Sequence, residues 1–335
     1  MARFLFTAHD PGGALMLGAS HAEILSRGHD VVFAAAGPTL GVWQAAGHEV
    51  IAVDKADELP WENIDAVATG SGFSDFERDV WPLAAARQLP SLAVIDAWTS
   101  LVRRFETPNG PVQPSAVAVL DAAVRDELAA HDWWMAEMYI VGQPHLQAQT
   151  TALRLRRSQS PTRHDRPNIV FFSEPVREDY GTTRGFDQFE VFETLVRHLP
   201  QELEIGIKPH PREDAAAWAR LSGDRFRLID ATAADLLVEA DGVLGMTTMV
   251  LVEAHLLGLP VLSLQPGRTG LANPLIDEFC TPVLDWADFA GSWAAFNDAL
   301  GQPLPVTPRF ANLLADADQR LADALEAVAG LSEKD

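Results

Sequence analysis

The stretch GVLGMTTMVLVEAHLLGLPVLSLQPG, residues 242–267, decides how the chain reads. Residues 242–244 are short and apolar, as in a buried strand. Gly245-Met246-Thr247-Thr248 follows, with a glycine for a sharp turn and two hydroxyls where a helix would begin. Residues 249–257 then read as a helix, Gly258 as its stop signal, and residues 261–264, just past Pro260, as the next buried strand. A strand, a tight turn and a helix start together make an anion site. Unpaired backbone N–H groups collect at the positive end of the helix dipole, and the threonine hydroxyls add donors. A plain N-cap role for Thr247 or Thr248 explains the same residues. On this stretch alone both readings stand.

Working upstream, residues 169–173, 203–208 and 226–229 read as strands, and 186–199 and 233–239 as helices. Strands alternating with helices predict a doubly wound α/β domain. The strand at 203–208 runs into Lys208-Pro209-His210-Pro211-Arg212. Two prolines stiffen that loop, and it carries one histidine and two cations, the groups that bind phosphate. A lone His-Pro would be a solvated turn; with a Thr-Thr turn in the same domain, the phosphate reading is preferred. Ser173-Glu174-Pro175 closes the first strand of this half. Ser173 and Glu174 read equally as contacts to a base or ribose and as a turn signal. Glu253, six residues after Thr247, reads as an exposed helical acid or as a ribose ligand.

The N-terminal half repeats the pattern. A strand at 3–8 enters the turn His9-Asp10-Pro11-Gly12-Gly13, and a helix over 14–26 is predicted to bury Leu17, Ile24 and Leu25. Strands follow at 31–35, 50–53, 66–69, 91–95, 116–119 and 139–141, with a helix at 78–88. The glycine pair does not fit GxGxxG, so a dinucleotide fingerprint is not supported. Ligands of open α/β sheets lie outside the carboxyl ends of the strands. His9, Asp10, Gly70-Ser71-Gly72 and Asp96 all fall there. Asp10 is also explained as a turn former and Asp96 as a helix N-cap. Trp98, Trp133 and Trp134 read as packing. Residues 147–167, polar, basic and broken by proline, read as a linker. The expected domains are therefore 1–146 and 168–307, with 308–335 as a closing amphipathic helix.

The chain has 335 residues and a formal net charge of −22, which argues against nucleic-acid partners and anionic lipid surfaces. An anionic substrate then needs local donors. No apolar run approaches the ~18–20 residues of a membrane span. The N-terminus lacks a signal-peptide pattern, so a cytoplasmic location is expected. The single cysteine, Cys280, excludes an intramolecular disulfide, and no metal-ligand spacing is present, so no metal is expected. The sequence sets no oligomeric state.

Two similar Rossmann-like halves, the HP loop, the Thr pair before a helix, and Glu253-Ala254 followed by Leu257-Gly258-Leu259-Pro260-Val261 resemble the GT-B-fold glycosyltransferases and their relatives, including the UDP-N-acetylglucosamine 2-epimerases. The HP loop with the Thr pair is similar to the bacterial sialyl- and polysialyltransferases and the CDP-glycerol-type transferases. That likeness implies donor-phosphate contacts at His210 and Thr247 or Thr248. His9-Asp10-Pro11-Gly12-Gly13, and Asp96-Ala97-Trp98 followed by Arg104-Phe105, are similar to glycosyltransferase-like proteins of surface-polysaccharide clusters. The Asp/Glu-Asp/Glu-Gly motif that supplies the sialyltransferase base is absent.

The resemblance implies two Rossmann-like domains facing across a cleft. It also implies glycosyl transfer from a CMP-, CDP- or UDP-sugar to a glycan or glycoconjugate, with the nucleotide-sugar as substrate and no separate cofactor. Asp96, or Asp10 with His9 beside it, is the expected base. Gly12, Gly13, Ser173, Glu174, Lys208, His210, Arg212, Thr247, Thr248 and Glu253 are the expected binding residues. The alternatives are a nucleotide-sugar hydrolase or 2-epimerase, and a nucleotide-sugar-binding protein without catalysis.

Overall fold

The computed structural model describes residues 1–160, 166–270 and 273–331. The chain forms two compact units. Met1–Gln149 and the segment from Ala311 onward make the first, and Thr150–Phe310 the second.

In the N-terminal unit the elements run β1 Arg3–Ala8, α1 Pro11–Ser26, β2 Asp30–Ala35, α2 Thr39–Ala45, β3 Val50–Ala52, β4 Ala66–Thr69, α3 Asp75–Ala86 and β5 Ser91–Val94. A hairpin of two-residue strands follows, β6 Glu106–Thr107 and β7 Gly110–Pro111, then β8 Ala116–Val119, α4 Ala122–Ala129, β9 Glu137–Ile140 and α5 Pro144–Gln159, which belongs to the second unit from Thr150 onward. The main sheet is parallel, in the order β3-β2-β1-β4-β5-β8-β9. Its central strands are buried on both faces. Phe4, Leu5 and Phe6 of β1 have no exposed surface, as expected where helices cover both sides of a parallel sheet.

The C-terminal unit runs β10 Ile169–Phe172, α6 Val176–Tyr180, α7 Gln188–His198, β11 Ile205–Lys208, α8 Ala215–Leu221, β12 Phe226–Leu228, α9 Ala233–Glu239, β13 Gly242–Gly245, α10 Met249–Leu256, β14 Val261–Ser263 and α11 Phe289–Ala299. Its parallel sheet has the order β12-β11-β10-β13-β14. Phe171, Phe192, Ile207, Trp218, Leu244, Met246 and Phe289 belong to its core. Helices α12 Pro308–Leu314 and α13 Ala317–Val328 close the chain. In each sheet the order reverses beside the first strand, between β1 and β4 and between β10 and β13. Such a reversal opens a crevice at the strand ends.

Four expectations are corrected. Most of the segment read as a linker is helix α5; residues 161–165 of it lie outside the described residues. The helix looks polar because its arginines serve neighbouring helix ends. Arg157 donates to the carbonyls of Leu237 (2.5 Å), Val238 (3.1 Å) and Ala240 (2.9 Å) at the end of α9, and Arg154 to Leu256 O (2.7 Å) at the end of α10. Cations there answer carbonyls that the helices leave unpaired. Leu25 is 46% exposed, while Leu17 and Ile24 are buried. Helix α1 begins at Pro11 rather than at residue 14, since proline is tolerated in a first turn. The single closing helix is two, broken where Asp316 takes a left-handed conformation (φ 47°).

Candidate active site

In the C-terminal unit, register carries the predicted residues together. Phe172 pairs with Lys208 on one side and Gly245 on the other. Ser173 and Glu174 therefore leave the sheet between the HP loop and the Met246-Thr247-Thr248 turn. Thr248 is the N-cap of α10, its hydroxyl accepting from Val250 N–H at 3.3 Å. Thr247 instead gives its N–H and its hydroxyl to the Glu174 carboxylate. Thr248 thus takes the cap role, while Thr247 is turned toward a carboxylate of the chain itself. Asn273 donates to the Thr247 carbonyl (3.0 Å). Beneath the turn, buried Ser263 and Gln265 donate to Met246 O at 2.6 and 3.2 Å.

The HP loop is held by Glu213, a residue that the sequence reading passed over. One of its oxygens accepts from Ser173 Oγ (2.7 Å) and Trp218 Nε1 (3.2 Å), and the other from His210 N–H (2.5 Å). Its position directly after the Lys-Pro-His-Pro-Arg motif was the available signal. Burial holds the Glu213 carboxyl above the usual carboxylate range, against the pull of those hydrogen bonds. His210 Nδ1 accepts from Arg212 N–H (3.2 Å), which leaves the ring proton on Nε2 as a donor. Burial, helped by Arg212 and opposed by Asp179, pushes the His210 imidazole below its ordinary value, so it is neutral at neutral pH. Arg212 is bound to Asp179 through two hydrogen bonds of 2.7 and 2.6 Å. Of the two loop cations, that leaves Lys208, half-buried at the end of β11, as the one not engaged in an ion pair among the described residues. Glu253 lies half-buried in the second turn of α10.

In the N-terminal unit the crevice lies between β1 and β4. Asp10 stands at the N-cap position of α1 without capping it. Its carboxylate bonds His9 Nδ1 (2.8 Å) and accepts from Phe73 N–H (2.7 Å), closing the crevice. Buried Glu77, which the sequence reading passed over, accepts from His9 N–H (2.9 Å) and Ser74 Oγ (2.7 Å). Asp96 follows β5. Its Oδ1 meets Arg104 at 2.5 Å, and Arg104, 3% exposed, also donates to Ser71 O (3.0 Å). Asp96 Oδ2 faces the first turn of α1, where a Cβ on Gly12 would lie 1.9 Å from it. A Cβ on Gly13 would lie 2.5 Å from Gly70 Cα. The glycine pair therefore lets the helix start approach both neighbouring strand ends. His9 also lines a cavity of about 620 Å³ with Asp54, Lys55, Asp57, Asp75 and Asp79.

Among the described residues no three His, Cys, Asp or Glu side chains converge as a metal site, and no helix is long and apolar enough to cross a membrane.

No family model and no curated protein matches the chain. Solved structures do match along its whole length. The UDP-GlcNAc 2-epimerase of Neisseria meningitidis bound to UDP-GlcNAc superposes with a TM-score of 0.65 at 10% identity, covering 97% of this chain and 100% of that one. MurG of Acinetobacter baumannii gives 0.55 at 12% identity, over 98% and 100%. A glycosyltransferase of Rickettsia africae gives 0.60 at 10%, over 98% of each chain. At such identities the likeness establishes the fold: two Rossmann-like units of the GT-B type.

Proposed function

We propose that the chain is a glycosyltransferase that moves a sugar from a CMP-, CDP- or UDP-linked donor to a glycan or glycoconjugate. The C-terminal unit binds the donor. Lys208, the His210 Nε2–H and the start of α10 stabilise charge on the departing phosphate. The N-terminal unit binds the acceptor, and Asp96 accepts the acceptor's hydroxyl proton. The observation that carries this reading is His210. The Arg212 N–H fixes its tautomer and Glu213 holds its backbone, so a neutral donor sits on a stiff loop at a strand end.

A second reading, nucleotide-sugar 2-epimerisation or hydrolysis, is favoured by a neighbour solved with UDP-GlcNAc. Incubation with UDP-GlcNAc and with a CMP-sugar, without acceptor, separates the two. Under the transferase reading free sugar accumulates slowly and no epimer forms; rapid epimer or free sugar moves the assignment to the second reading. In parallel, His210→Ala should weaken nucleotide binding by about 1.5–3 kcal/mol, the loss of one hydrogen bond to a charged group. Calorimetry that finds unchanged affinity removes the HP loop from the site. Tight binding without turnover in any acceptor screen would leave a non-catalytic binding protein.

A further inference from the structure

The anion pocket at the start of α10 already holds an anion, and it belongs to the chain itself. Glu174 Oε1 takes the Thr247 N–H, and the Thr247 hydroxyl lies 2.9 and 2.8 Å from the two carboxylate oxygens. These are the two donors that a phosphate oxygen would use. The arrangement is set by the sheet. Phe172 pairs with Gly245, so Glu174 and Thr247 both stand two residues beyond a paired position, across the crevice between β10 and β13. Pro175 directly follows Glu174, and Ser173 before it is bound to both Lys208 O and Glu213. The backbone carrying the carboxylate is therefore fixed, and the side chain can leave only by rotating.

We infer that Glu174 is a built-in competitor of the donor phosphate, and that a phosphate reaches the Thr247 donors only by displacing its carboxylate. The inference rests on the nucleotide reading of this unit. Among the described residues, Glu213 from the loop after β11 and Arg184 from the segment between α6 and α7 act on the charge of Glu174. Burial pushes the Glu174 carboxyl above the usual carboxylate range and Glu213 adds to the effect, while the Thr247 bonds and Arg184 oppose it. An arriving phosphate adds negative charge and withdraws the Thr247 donors, and both changes favour the protonated acid. Displacement then takes one proton from solvent onto Glu174, and nucleotide binding tightens as pH falls.

The test is calorimetry of the full chain with CMP and with UDP, at about pH 6 and about pH 8, each in two buffers of different ionisation enthalpy. Wild type should take up a proton on binding, and its affinity should rise on acidification. Glu174→Ala empties the pocket and should bind about tenfold or more tighter than wild type at the higher pH, since a like-charge contact is removed. The gap should close at the lower pH, and the variant should take up less proton than wild type, any remainder belonging to His210 and the phosphate itself. Glu174→Gln keeps the shape and an acceptor for Thr247 N–H without charge; it too should bind more tightly, and it decides the matter if the alanine variant fails to fold. Wild-type binding with no proton uptake, and variants that bind equally or more weakly, would make Glu174 a support or a direct nucleotide contact and overturn the inference alone. Failure of either nucleotide to bind any of the three forms would remove the nucleotide reading, and the inference with it.

Discussion

As letters in the sequence, Asp96, at the end of a central strand, is slightly preferred as the base over Asp10, which turn chemistry already explains, and their hydrogen bonds differ in the same direction. Both Asp10 oxygens are engaged, one with His9 and one with Phe73 N–H. Asp96 spends Oδ1 on Arg104 and presents Oδ2 to the first turn of α1. Under the proposed function a base needs an oxygen not already engaged, which is the argument for Asp96. Gly12 offers a test that leaves Asp96 itself untouched. Alanine is a good helix former, so Gly12→Ala suits the backbone of α1, yet its Cβ must push the Asp96 carboxylate aside. A shift of an ångström in a catalytic group costs roughly 10²-fold. Turnover should therefore fall by about that factor in Gly12→Ala while the melting temperature moves little. Full activity in this variant would show that the position of Asp96 does not matter to the reaction.

At the scale of elements, the helix ends are where the sequence was hardest to read. Helix α5 reads as a basic linker because its arginines cap α9 and α10, partners 80 to 102 residues away in sequence and adjacent in space. Helix α10 carries the second device. His255, 7% exposed, stacks on Phe279 at 4.3 Å and accepts from Thr307 N–H at 3.2 Å. Burial pushes its pKa from the ordinary 6.5 down to about 4. In the unfolded chain the same imidazole takes a proton at its ordinary value, so between those limits the unfolded state binds more protons. The stability from a neutral His255 is complete above pH 6.5 and is lost as pH falls to about 4. Glu174 and Glu213, with raised values, act in the opposite sense, so the histidine is isolated by comparison. Thermal melts of His255→Phe across that range should decline less steeply on acidification than those of wild type. Parallel declines would mean that His255 is already protonated in the fold.

At the scale of the whole molecule, the chain leaves its first unit and returns to it. Residues from Ala311 onward belong with Met1–Gln149. Helix α13 buries Leu321 and Leu325 completely, and Arg27 of the α1 end binds Asp323 (2.6 Å) and Glu326 (3.0 Å). A chain ending at Phe310 should therefore damage its beginning. Burying two leucines contributes about 3–6 kcal/mol, and surface ion pairs little. Hydrogen exchange should show lost protection in β1 and α1, with protection retained in β10 and β13. Uniform loss across both units, or none, would contradict that division.

The fold was legible because doubly wound sheets announce themselves locally. Apolar strand runs such as FLF and VFF, each followed by a turn and then a helical stretch, need no distant partner to be read. The HP loop and the Thr pair stood out as candidates for the same reason, since proline, histidine and hydroxyl chemistry is carried by the residues themselves. What the sequence left open was decided by contacts between strand ends far apart in the chain. Glu174 meets Thr247, 73 residues on, only because β10 and β13 are neighbours across the reversal of strand order. Arg104 reaches Ser71, and Asp96 meets Gly12, only because β1, β4 and β5 lie side by side. A carboxylate's role depends on which donors surround it, and in a parallel sheet those donors come from strands that the sequence separates by a whole crossover. Composition and periodicity determined the elements; the order of the strands determined which side chains share a site.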